Sequence, residues 1–232
     1  MPHPQNKVLS QVSAADRPLL EECLTPFAAK IGNILYEADD VVDYVYFPIT
    51  GMVSILTVMN DGTAVETATV GDEGAIGALA AVGSRTSHGR AAIQFDLTAL
   101  RLKTQHFLQL YSDSDSFRKA VNIANDLLVG QFQQTAACNA LHHIEARLAR
   151  WLLQADDRAA HSAPMNLTQE YMAETLAVQR TTVNEVANTL RNEGLISYSR
   201  GKIAVLDRAG LERRACECYA ALLERRARIA KN

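Results

Sequence analysis

Long apolar runs are missing from this 232-residue chain: each is broken by a charged residue well before the roughly 18 consecutive apolar positions that a spanning helix needs. A helical membrane protein is therefore excluded. The N-terminal MPHPQNKVLSQ lacks the basic start, apolar stretch and small-residue cleavage site of an export signal, and the chain reads as cytoplasmic. Cysteine is scarce. Cys23, Cys138, Cys216 and Cys218 are scattered through the chain, and no disulfide framework is expected. Histidine is sparse where a strand-borne metal centre would need it, since His88 and His106 are the only ones between residues 4 and 141. That argues against a cupin-like metal enzyme, which needs a His-x-His pair with a further carboxylate and histidine. Serine-hydrolase elbows, phosphate-binding Gly-Lys-Ser/Thr loops and dinucleotide fingerprints are also absent, so no enzyme activity is expected.

What remains is ordinary globular composition, with 48% apolar and 21% charged residues, and a near-neutral net charge of −3 that hides an asymmetry. Residues 1–137 hold 9 Lys/Arg against 15 Asp/Glu, and residues 138–232 hold 14 against 11. An acidic half is thus joined to a mildly basic one, the sign change expected where one module faces nucleic acid.

Texture changes along the chain too. Ser13-Ala-Ala-Asp16 before Leu19, Leu20, Cys23 and Leu24 predicts a short capped helix. From Ile34 to Leu102, short β-branched and aromatic runs predict a β-roll, with an Asp61-Gly62 hairpin between Gly51–Met59 and Ala64–Val70. After Asp113 the pattern is helical. Phe117, Val121, Ala124 and Leu128 recur at alternating spacings of four and three, a heptad-like stripe expected to pair with a second copy. The expected organisation is α+β: a β-roll over 1–112, a central dimerisation helix over 113–137 and a DNA-binding domain over 138–232.

The stretch Thr168–Ile196 is the most informative. Thr168 is a good N-cap, and Leu167 and Met172 stand where a hydrophobic staple closes. A first helix should end near Leu176. Val183, Val186, Ala187 and Leu190 define a second one, beginning near Gln179 after a tight turn at Ala177-Val178. Two such helices make a helix-turn-helix, whose second helix presents its N-terminal side chains to the major groove. Gln179, Arg180, Thr181, Asn184 and Glu185 point away from the apolar stripe and are candidates for base contact. Gly194 ends the helix, and Ile196–Leu206 reads as two short strands around Arg200-Gly201-Lys202, a wing able to reach phosphate.

The run from Thr168-Gln-Glu through Leu176-Ala-Val-Gln-Arg-Thr-Thr-Val183 to Gly194-Leu-Ile196 resembles the winged helix-turn-helix of Crp/Fnr-type bacterial transcription regulators. His143–Leu153 is similar to the helix that opens that domain in the family, and Tyr46-Phe-Pro-Ile-Thr-Gly51 with the Asp61-Gly62 hairpin is similar to its cyclic-nucleotide-binding-like roll. The resemblance covers nearly the whole chain. It implies a sequence-specific regulator acting as a homodimer on palindromic double-stranded DNA, with RNA polymerase as a further partner. It also implies base contact by Arg180 and phosphate contact by Thr182, to which Thr168, Gln169, Arg200 and Lys202 are added as phosphate candidates. Thr181 stands where the family has Glu, so a different operator is expected.

The resemblance frays at the effector site. The family's ribose and phosphate cassette maps onto Gly71, Glu73, Arg90 and Ala91, but Asp72 intrudes between Gly71 and Glu73, and Ala91 replaces the hydroxyl expected after Arg90. Control by cyclic AMP is not expected, and no cofactor is assigned; a cyclic-nucleotide-responsive regulator is the alternative, and an interaction module without DNA function is a third reading. A metal site is not expected either. Cys216 and Cys218, two apart in what reads as a helical tail, face different directions, and His142 and His143 diverge in the same way.

Overall fold

The computed structural model describes residues 6–159 and 164–229. Residues 1–5, part of the stretch read for an export signal, lie outside them. The buried Asn6 caps α1 (Lys7–Ser10) through the amides of Val8 and Leu9, and its Nδ2 donates to the carbonyls of Pro48 and Gly74. The expected first helix is α2 (Arg17–Cys23), but two details differ. Asp16 does not cap it; the carboxylate accepts hydrogen bonds from Ser116, Ser114 and Ser13, which hold its pKa below the usual range. Leu20 is buried, whereas Leu19 stays 58% exposed.

The roll comprises β1 (Thr25–Ala29), β2 (Ile34–Tyr36), β3 (Tyr44–Val58), β4 (Ala64–Val70), the short α3 (Ala78–Val82) and β5 (Arg90–Lys103). The strands form one antiparallel sheet ordered β1-β5-β3-β4, with β2 also on β5. The 15-residue β3 and 14-residue β5 pair from Tyr44↔Lys103 to Leu56↔Arg90. A sheet this long must bend. Register shifts between Pro48 and Val53 supply the bend, and Gly51 sits there at φ +94°, where an added Cβ would stand 2.5 Å from the Asp96 carbonyl oxygen. The β3–β4 hairpin closes as expected, with Gly62 at φ +86° and the Asp61 carboxylate accepting from the Thr63 amide and hydroxyl.

Helix α4 (Thr104–Asp113) then leads to α5 (Asp115–Leu141), whose N-cap Ser114 accepts from the Phe117 amide. The central helix therefore runs four residues beyond the expected 113–137 and carries Cys138 on its last turn. Its stripe also turns out to face inward. Phe117, Val121 and Ala124 are buried against Phe47, Leu102 and Phe107 of the same chain, and Leu128 packs on the interior of the roll. Three of the four residues of the expected dimer seam thus make an intramolecular contact: the roll offers Phe117, Val121 and Ala124 an apolar surface within the chain that buries them, while Leu128 is half-buried.

The C-terminal part holds α6 (Ile144–Arg158), β6 (Met165–Asn166), α7 (Gln169–Leu176), α8 (Arg180–Asn192), β7 (Ile196–Ser199), β8 (Lys202–Val205), α9 (Arg208–Arg214) and α10 (Cys218–Ile229). A small antiparallel sheet has the order β6-β8-β7. Its core gathers around Trp151 and Leu152 of α6 and extends into the roll through Met52 and Phe95. A polar cluster completes that joint. Glu66 on β4 accepts from Ser54 Oγ at 2.5 Å and from Trp151 Nε1 at 2.7 Å, while the Ser54 hydroxyl lies 2.7 Å from the Tyr171 hydroxyl on α7. Burial raises the Glu66 carboxyl to about 7, against these hydrogen bonds and the weaker pull of Arg150 and Arg158.

Candidate nucleic-acid interface and effector region

The two helices stand where the sequence places them. Thr168 caps α7 by accepting from the Tyr171 amide at 3.1 Å, and the staple residues Leu167 and Met172 are both fully buried. The helix ends at Ala177 in the left-handed conformation, φ 51° and ψ 50°, with its amide donating to the carbonyls of Ala173 and Glu174. The last-turn carbonyl of Leu176 accepts from the buried Arg147 of α6 at 2.6 Å. Gln179 is the extended N-cap of α8. Val183, Val186, Ala187 and Leu190 are buried, which turns the opposite, polar face to the surface.

On that face Gln169 links the two helices, accepting from Arg180 Nε at 3.2 Å and donating to Asn184 Oδ1 at 2.7 Å. The wing turns through Arg200 (φ 50°) and Gly201 (φ 74°), and the Gly201 carbonyl accepts from the Leu167 amide at 2.8 Å, tying the wing to the strand before α7. A surface groove between helix and wing brings together Thr168, Gln169, Arg180, Asn184 and Arg200. Gln179, Thr181, Glu185 and Lys202 are exposed but outside its lining, and Thr182 is half-buried. Sequence reasoning missed Asn188, Arg191 and Tyr198, which also line the groove. Asn188 and Arg191 stand four and seven residues after Asn184, so extending the helical period along the same face would have found them. Three guanidinium groups, from Arg180, Arg191 and Arg200, outnumber the single carboxylate of Glu170, so the groove favours an anionic, hydrogen-bonding ligand.

The effector candidates do not assemble. Glu73 pairs with Arg158 of α6 at 2.6 Å and with Arg226 of α10 at 3.0 Å. Burial acts to raise its carboxyl, but those two charges outweigh it and hold the pKa at about 2. Gly71 makes room for this contact, since a Cβ there would come within 3.0 Å of Arg158 Nε. Arg90 pairs instead with Glu37 at 2.9 Å, and Ala91 is buried within the sheet opposite Ile55. The cavity beside Glu73 is lined by Thr69 and Val70 of the roll, Leu128 and Gln131 of α5, and Arg158 of α6. A mostly apolar cavity of about 460 Å³ lies between the roll and α5, lined among others by Ile55, Thr67, His88, Gly89, Phe132 and Asn139.

The thiols also depart from expectation. Residues 215–217 are not helical; they form the break between α9 and α10, so Cys216 and Cys218 do not diverge as helical i, i+2 residues do. Both pack against Cys138. The hydrogen bond between Cys138 and Cys216 lowers the pKa of the Cys138 thiol and raises that of Cys216.

A regulatory-type β-roll docked on a winged helix-turn-helix defines the class: a DNA-binding transcription regulator. The cyclic nucleotide-binding domain family matches residues 27–114 and the Crp-like helix-turn-helix domain family matches residues 146–214, about two thirds of the chain together. The chain belongs to the Crp/Fnr family of transcriptional regulators. Solved structures share the fold across nearly their whole length. A protein from Eubacterium rectale assigned to the crp/fnr family has a TM-score of 0.73 at 16% identity, covering 91% of this chain and 98% of its own. FixK2 from Bradyrhizobium japonicum has a TM-score of 0.70 at 19% identity, covering 83% and 98%. A CRP-family transcriptional regulator from Thermus thermophilus has a TM-score of 0.68 at 22% identity, covering 82% and 96%. No curated protein sequence matches the chain. Among the described residues, no helix is long and apolar enough to cross a membrane.

Proposed function

We propose that this regulator is a cytoplasmic, sequence-specific DNA-binding protein, acting as a homodimer on a two-fold-symmetric operator and not controlled by a cyclic nucleotide. The observation that carries this reading is the exposed polar face of α8 beside the wing, with Arg180, Asn184 and Arg200 on one groove. Arg180 and Asn184 supply the hydrogen-bonding forks that read guanine and adenine edges, with Gln179, Thr181 and Glu185 alongside. Thr168, Gln169, Thr182, Arg200 and Lys202 set register on phosphate. The bound dimer acts on RNA polymerase.

The seam lies on the exposed face of α5, at the rim of the cavity between the roll and the helix, which Ala136 helps to line. Val129, Gln133, Ala136 and Ala140 are exposed, repeat at spacings of four, three and four, and sit roughly 120° around the helix from the buried stripe. The small Ala136 and Ala140 let two helices approach closely at that end, and the pairing sets two recognition helices about 34 Å apart, one DNA turn. Independence from cyclic nucleotides is supported by the engaged carboxylate of Glu73 and the separate pairing of Arg90.

Selection of binding sites from random duplex DNA, with purified protein and no added small molecule, tests the proposal. Enrichment of a palindrome is expected. Failure to enrich without ligand, followed by enrichment once cyclic AMP is added, would overturn the effector reading; failure under both conditions would overturn DNA recognition itself.

A further inference from the structure

Cys138 on the last turn of α5, the C-cap His142, and Cys216 and Cys218 at the α9–α10 break place one ligating atom each within 4.8 Å of all the others. The Cys138 and Cys216 sulfurs are 3.6 Å apart, as are Cys218 Sγ and His142 Nδ1. Zinc–sulfur bonds of about 2.3 Å in a tetrahedron put neighbouring donors about 3.8 Å apart, so the spacing suits a single ion. Iron–sulfur clusters interpose bridged irons and hold their thiolates farther apart than this group allows. The three thiols are buried and form their own small cluster.

The surroundings are those of a ligand set. His142 turns Nδ1 to the sulfurs while its Nε2 lies 3.1 Å from Glu217 Oε1, the carboxylate–histidine arrangement that fixes a metal-binding imidazole. Gln134 Nε2 donates to Cys218 Sγ at 3.0 Å. Arg147 and Arg150 of α6 interact electrostatically with Cys138, and so offset the charge that three thiolates leave on a divalent ion. Three soft sulfurs and one imidazole select a thiophilic cation over calcium or magnesium.

We propose that Cys138, His142, Cys216 and Cys218 form a mononuclear site for a divalent cation of the zinc class, clamping α10 and the α9–α10 break to the end of the central helix. The clamp closes over the His142–His143 break between α5 and α6, and so fixes the angle at which the DNA-binding domain leaves the central helix. Arg147 carries its influence further, because the same side chain caps the Leu176 carbonyl at the end of α7. This site does not depend on the operator reading.

The test uses the full chain kept reduced, stripped with chelator and titrated with Zn(II) against a chromophoric competitor, with Co(II) as the spectroscopic probe. One equivalent per chain is expected, with Co(II) giving the intense visible bands of a tetrahedral, thiolate-rich complex and Zn(II) raising the Tm. Cys216→Ser should weaken binding by 100-fold or more, on the order of what loss of a thiolate ligand removes, and Glu217→Gln by about 10-fold. Glu217 is 77% exposed, so that variant keeps the fold even if the cysteine variant does not. Cys23→Ser, which alters a thiol outside the cluster, should bind as the parent does. Three results would each overturn the site: substoichiometric Zn(II), an octahedral cobalt spectrum, or binding indifferent to both Cys216→Ser and Glu217→Gln. A reduced chain that takes no metal but forms a Cys138–Cys216 disulfide on mild oxidation would also overturn it, in favour of a redox pair.

Discussion

Glu66→Gln isolates the joint between the roll and the DNA-binding domain. The Glu66 carboxyl is enclosed, with burial lifting it from an ordinary 4.5 to about 7. A raised carboxyl binds its proton more tightly when the domains are docked than when the chain is unfolded. The docked state therefore has its full stability below pH 4.5 and loses it progressively as pH rises through about 7. A shift of this size corresponds to about 3 kcal/mol, fully lost once both states are ionised. Glutamine keeps the shape, accepts from Trp151 through its carbonyl and donates to Ser54 through its amide, without a charge to desolvate. Above pH 8 the variant should be more stable than the parent by about 1–3 kcal/mol, after allowing for weaker neutral hydrogen bonds, and near pH 5 the difference should vanish or reverse. Trp151, the single tryptophan of the chain, donates to Glu66 itself, so urea unfolding followed by its fluorescence from pH 5 to 8.5 reads the joint directly. Parallel stability curves for parent and variant over that range would refute the reasoning.

Arg180→Ala should weaken operator binding by about 1–3 kcal/mol per half-site and relax one base position, measured by anisotropy on single-substitution operators; equal loss on every sequence would place Arg180 on phosphate. Lys202→Ala should lower affinity uniformly and flatten its salt dependence, and an unchanged slope would remove the wing lysine from the contacts. Ala177→Gly relieves a left-handed alanine at an exposed turn, and a gain of about 0.5–1 kcal/mol is expected as a higher Tm; a loss would show that the turn carries no strain. Gly51→Ala drives a Cβ toward the Asp96 carbonyl at φ +94° and should cost about 3 kcal/mol or more, read as a lower urea midpoint.

Much of the fold was legible locally. The hairpin at Asp61-Gly62, the cap at Thr168, the Leu167–Met172 staple, the α8 stripe and the wing all rest on residues within a few positions of one another, where turn chemistry and periodicity act without help from the rest of the chain. The polar surface face of α8 followed, because burying Val183, Val186, Ala187 and Leu190 leaves Arg180 and Asn184 on the outer side. The heptad stripe of α5 was read correctly as apolar but assigned to the wrong neighbour. Periodicity reports that a face is buried and is silent about what buries it.

Sequence alone therefore determined the element types, the winged helix-turn-helix and the α+β architecture, each set by short-range patterns and residue chemistry. Tertiary structure decided which polar groups meet: Glu73 with Arg158 and Arg226, Arg90 with Glu37, and Glu66 with Trp151 and Ser54. It also decided that thiols 78 positions apart share one cluster. Such pairings follow from how elements pack and where a helix breaks, and no local pattern encodes them, because Coulomb attraction and metal affinity depend on distance in space rather than along the chain.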